Sequence, residues 1–104
     1  MKIILAYITC RDETEAIKIG KGLVENRLAA CVNILDGMTS IFWWADKIEE
    51  FTETVLIAKT NEGSWDELEA FVKQNHSRIC PCIIALRVVS GNQDYIDWLE
   101  ENLQ

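Results

Sequence analysis

The sequence predicts an α+β fold, a ferredoxin-like βαββαβ sandwich with an extra C-terminal helix, in a single domain over residues 1–104. Three observations carry this expectation. Four apolar runs of strand character alternate with two capped, amphipathic segments, and a short helical segment follows. Each half then reads as a β-α-β unit, and right-handed crossovers put both long helices on one face of a four-stranded antiparallel sheet in spatial order 4-1-3-2. The strands carry apolar side chains on both faces instead of alternating cleanly with polar ones, so two helices cannot cover them.

The elements follow in order. Lys2 to Thr9, "KIILAYIT", is the first strand. Asp12 opens "DETE", where its side chain can cap free amides while Glu15 reaches back. Ala16, Ile19, Leu23 and Val24 then recur at helical spacing, and the helix runs to about Asn26. Leu28 to Leu35, "LAACVNIL", is a second strand, and Asp36-Gly37 marks a turn before "TSIFWWADKIEE" continues extended. Thr54 to Lys59 is the third strand. Ser64 opens a second capping box, "SWDE", with Trp65, Leu68, Phe71 and Val72 on one helical face and an end near Asn75. Ile83 to Val89 is the fourth strand, and Gly91-Asn92 introduces a short helix carrying Tyr95, Ile96, Trp98 and Leu99.

Composition narrows the function. Lys plus Arg number 10 against 17 for Asp plus Glu, and the net charge of -7 repels phosphate backbones and anionic lipid, so nucleic acid is not an expected partner. The apolar N-terminal run is too short to span a membrane and lacks a small-residue cleavage site, so no membrane insertion is expected and the protein reads as cytoplasmic. Four cysteines in a chain able to build a core without staples read as free thiols in a reducing compartment.

Phe42, Trp43 and Trp44 are consecutive, so in a strand Trp43 points opposite to the other two. Each ring has roughly 150–250 Å² to bury. With a second sheet face also apolar, the reading is an association surface: one side of this hairpin packs on its own core and the other on a neighbouring chain.

At this point the sequence resembles the CutA family, small trimeric proteins named for divalent-cation tolerance. The resemblance runs through nearly the whole chain: "ENRLAACVNI", "FWWADKIEE" followed by "VLIAKT", the lone His76 and Pro81 before "II", and "DYIDWL". It implies a ferredoxin-like homotrimer whose sheets meet and whose hairpins pair across subunits, with a link to copper and other divalent ions and no established catalysis. The family commonly has His-Pro-Tyr where this chain has His76-Ser77-Arg78, and glycine where it has Asp46. Copper ligands proposed in the family fall on Ile8, Asn75 and His76, of which only His76 is a ligand type.

The candidate metal ligands are Cys31, His76, Cys80 and Cys82, for copper or another divalent ion. Cys80 and Cys82 stand at i and i+2, so an extended chain turns both thiols one way, as a soft ion needs. The alternative is that they are small hydrophobes packing at the start of the last strand, the commoner fate of free cysteine. Cys31 lies on the opposite edge strand, so any site joining it to Cys82 is intersubunit. His76 reads either as a ligand or, more ordinarily, as a residue capping its helix. Cys10 beside Arg11 is either a thiol of lowered pKa or inert.

Asp46, Glu49, Glu50 and Glu53 can hold a hard cation weakly, or serve as a solvated edge that discourages stray strand pairing, with Lys47 and Lys59 as balancing charges. Tyr95 and Trp98, three residues apart, read as core. The five glycines form no phosphate-cradling loop, and no organic cofactor is expected. No Ser/His/Asp set can form without a second use of His76, and with the resemblance implying no catalysis the chain reads as no enzyme, the further alternative being an enzyme that uses intersubunit Cys31 and His76. The competing reading is a PII-like trimeric small-molecule sensor, and the missing anion-binding loop weighs against it.

Overall fold

The computed structural model describes residues 2–104. β1 (Ile3–Cys10), α1 (Glu13–Glu25), β2 (Cys31–Trp44), β3 (Lys47–Asn61), a 3-10 turn (Glu62–Ser64), α2 (Trp65–Asn75), β4 (Ile83–Arg87) and α3 (Gln93–Glu101) keep the predicted order. All strand pairs are antiparallel in one sheet ordered β2-β3-β1-β4, which is the expected arrangement read from its other edge.

The helices form where the caps and spacing put them, with one correction. Asp12 Oδ1 accepts the Glu15 N–H at 2.9 Å, and Ala16, Ile19 and Leu23 turn one stripe of α1 inward. Asn92 caps α3 by accepting from the Asp94 N–H at 3.0 Å. Ser64 does not cap α2 with its side chain. Its backbone is already helical because the 3-10 turn precedes it, and Asn61 Oδ1 instead accepts the Ser64 N–H at 2.9 Å.

Directly paired residues of an antiparallel sheet share a face. Ile4, Ala6, Ile8 and Cys10 of β1 face the helices together with Leu56 and Ala58 of β3, and Ile19, Leu23, Leu68 and Val72 close that core. α1 and α2 meet closely because Gly22 has no side chain: a Cβ there would sit 2.4 Å from the Phe71 ring carbon Cζ. Leu5, Tyr7, Ile57, Leu35, Ile84 and Leu86 turn to the other face. Leu35, Ile84 and Leu86 are each more than half exposed there.

The hairpin differs from the expectation. Asp36-Gly37 is no chain reversal: it lies within β2 as a bulge, where the register shifts between Leu35 and Met38 and Gly37 takes φ 79°. The reversal comes at Ala45 and Asp46, both left-handed at φ 50° and 63°, the geometry that closes a two-residue hairpin loop. β2 and β3 therefore run on to Trp44 and from Lys47, far beyond the short strands expected, and stretch the chain to 45 × 25 × 22 Å. β4 is shorter than expected. It ends at Arg87, the Val88 N–H still reaches Ile3 O, and Val89 stands 96% exposed.

The rings divide as the pleat requires. Phe42 and Trp44 share a face with Phe51, and Phe42 meets Phe51 edge-on at 5.6 Å. Trp43 lies on the opposite face with Ile41 and Ile48, and all three are more than 60% exposed. Tyr95 and Trp98 are a correction: they stack on each other at 5.6 Å and remain 39% and 44% exposed. α3 buries Leu99 instead, which leaves the ring pair at its flank, with Lys59 Nζ donating to Tyr95 Oη at 2.9 Å.

Candidate metal and thiol site

The segment Ser77–Cys82 links α2 to β4 and belongs to no helix or strand. Two anchors set its course. The first is Glu15, 7% exposed, whose carboxylate accepts the Arg11 N–H and the Ser77 N–H at 3.0 Å each. The second is the His76 imidazole, wholly buried, with Nε2 2.7 Å from Thr9 O and Nδ1 accepting the Arg78 N–H at 3.0 Å. This pattern puts the ring proton on Nε2 and leaves neither nitrogen free.

His76 Nε2 also lies 3.8 Å from Glu15 Oε1. With Cys10 these two make a compact set of ligand atoms, all within 4.8 Å of one another. Burial, reinforced by Glu15, Glu53 and Asp12, pushes the Cys10 thiol up to about 12, so it is the inert cysteine of the two readings. Burial alone would raise Glu15, but the N–H groups of Arg11 and Ser77 and the neighbouring His76 outweigh it and hold the carboxyl below its ordinary value. For a metal this set is a poor fit as it stands. An ion at His76 must displace a backbone partner, and Glu15 already serves two amides.

Beyond the anchors, the segment carries Cys80 and Cys82 to a cavity of about 530 Å³ shared with Phe42, Trp44, Phe51 and Glu49. Cys80 is exposed and Cys82 half-buried, and burial raises the Cys82 thiol, partly offset by hydrogen bonding with Thr9. Two thiols on the wall of one cavity are the donor type a soft cation prefers.

The predicted ligands thus fall in three places. Cys80 and Cys82 line one cavity. His76 is grouped with Cys10 and Glu15. Cys31 sits on β2, paired with Lys59, across the sheet from β4. The acidic cluster also divides: Glu53 is 5% exposed and meets Arg78 Nη2 at 3.2 Å, while Glu49 lies on the cavity face and Glu50 on the opposite one. Lys59 bonds Tyr95 rather than any of these acids. The Glu15–Ser77 and Glu53–Arg78 contacts were not anticipated. Their partners are far apart in the chain, and the only local hint was Glu15 in its capping position.

A ferredoxin-like sheet with one uncovered apolar face and a long ring-bearing hairpin defines a small α+β protein with two thiols lining a cavity beside that hairpin. The chain belongs to the CutA1 divalent ion tolerance protein family, whose model matches residues 4–102. It is 45% identical to the divalent-cation tolerance protein CutA of Thermus thermophilus over 98 residues, 94% of this chain and 95% of that one. The crystal structure of CutA1 from Oryza sativa superposes with a TM-score of 0.97 at 35% identity, covering 100% of this chain and 95% of that chain. The structure of the periplasmic divalent cation tolerance protein CutA from Archaeoglobus fulgidus gives 0.95 at 40% identity, covering 98% and 99%. These matches favour the divalent-cation reading over the PII-like sensor. Among the described residues no helix is long and apolar enough to cross a membrane.

Proposed function

We propose that the chain is a cytoplasmic homotrimer that binds copper or another divalent or soft metal ion without catalysing a reaction, and that Cys80 and Cys82 hold the ion near a subunit interface. The observation that carries this reading is the convergence of both thiols on one cavity whose opposite wall is the hairpin ring face. The names of the relatives support the metal. The uncovered face, where Leu35, Ile84 and Leu86 are at least half exposed, and the other side of the outer hairpin, where Ile41, Trp43 and Ile48 are more exposed still, both support assembly. Phe42, Trp43 and Trp44 are then interface rings, and Cys31 joins the site only from a neighbouring subunit. His76 serves it indirectly by fixing the segment that carries the thiols.

The test is metal titration. Cys80→Ser with Cys82→Ser lowers Cu(I) or Zn²⁺ affinity at least about tenfold, or about 1.4 kcal/mol, while Glu49→Gln and Glu50→Gln barely change it. Unchanged affinity in the double variant overturns this assignment and returns the thiols to a packing role.

A further inference from the structure

Cys80 and Cys82 are separated by Pro81 alone, in a segment whose backbone belongs to no helix or strand. Fully extended chain separates Cα atoms two residues apart by about 6.6 Å. That lies just inside the span a disulfide bridges, up to about 6.8 Å, and any bend shortens it. The chain does bend at Cys80. Pro81 fixes its own φ and has no N–H, so closing the pair sacrifices no hydrogen bond at that residue. The other two thiols are out of reach: Cys10 is fully buried under the helices, and Cys31 lies on the far edge strand.

The geometry points to a reversible thiol–disulfide switch at Cys80–Cys82, driven by exchange with a small-molecule disulfide of the glutathione class. Exposed Cys80 is the thiol an incoming disulfide reaches first. Its thiolate attacks one sulfur of the oxidant, forming a mixed disulfide and releasing one reduced thiol. Cys82, deprotonated to solvent, then attacks the Cys80 sulfur and releases the second. The protein loses two electrons and two protons, and the oxidant becomes two thiols. A ring closed over a single intervening residue is strained, which makes the bond readily reducible and suits it to switching rather than to stapling the fold.

This inference stands without the metal reading, so it is tested on chelator-treated, full-length protein. The protein is equilibrated with mixtures of oxidised and reduced glutathione, free thiols are alkylated under denaturing conditions, and intact and peptide masses are read. The expected product has lost two hydrogens within the peptide holding Cys80 and Cys82, is restored by excess reduced glutathione, and keeps Cys10 and Cys31 free. Cys82→Ser traps a stable glutathione adduct on Cys80, whereas Cys80→Ser takes up much less. A lasting glutathione adduct on wild-type Cys80, or a disulfide between chains in place of the internal one, overturns the switch. Oxidised protein should also bind Cu(I) no better than the double serine variant. That last consequence rests on the metal reading, and its failure leaves the thiol result standing.

Discussion

Replacing Trp43 with alanine weakens subunit association by about 3–5 kcal/mol per site, by analogy with truncation of buried rings. Trp43 is 71% exposed within its own chain and shares its face of the hairpin with Ile41 and Ile48, both more than 60% exposed. Among the described residues none covers this surface, and in the proposed assembly a neighbouring subunit does. In the proposed trimer, three symmetric copies repeat the loss. Trp44 lines the cavity beside Phe42 and Phe51, so Trp44→Ala costs less association. On dilution or heating the Trp43→Ala assembly dissociates before its strand and helix signals are lost, which is read by following size and far-ultraviolet circular dichroism together. If both alanine variants stay assembled to the parent's temperature, the rings do not hold the subunits together.

Glu15→Ala destabilises the fold by about 2–5 kcal/mol, because each of two part-buried amides left without its acceptor costs about 1–3 kcal/mol. Two amides, Arg11 N–H and Ser77 N–H, lose their acceptor, and His76 loses its neighbouring carboxylate. The depressed carboxyl also fixes a pH dependence. A group whose folded pKa lies below its unfolded value of 4.5 contributes stability above that value and loses it as pH falls through the folded one. Wild type therefore loses stability on acidification below about pH 5, and Glu15→Gln shows a shallower loss over the same range. Denaturant unfolding at pH 7 and at successively lower pH measures both effects. Equal acid slopes in the two proteins would remove Glu15 as the anchor of the thiol-bearing segment.

What the sequence made legible was local in origin. Asp12 and Asn92 cap helices that begin where their side chains predict, and the apolar periods of α1 and α2 mark the faces that reach the sheet. The hairpin misled because Asp36-Gly37 is a strong turn signal by residue type, yet a glycine at positive φ serves a bulge equally well. The real reversal rests on Ala45 and Asp46, and alanine gives little warning of a left-handed turn. The thiol pair was readable because Cys80 and Cys82 are near neighbours. Its anchors were not: Glu15 meets Ser77 across 62 positions, and no local pattern encodes that contact. The uncovered sheet face was readable from strands apolar on both sides, and Ile84 and Leu86 stand exposed on it.

The central claim is that this uncovered face is a subunit interface, and sedimentation of the purified protein at micromolar concentration tests it most directly. The account predicts a single species of three times the chain mass, with no folded monomer on dilution through that range. A monodisperse, folded monomer, its apolar sheet face bare to water, would contradict it.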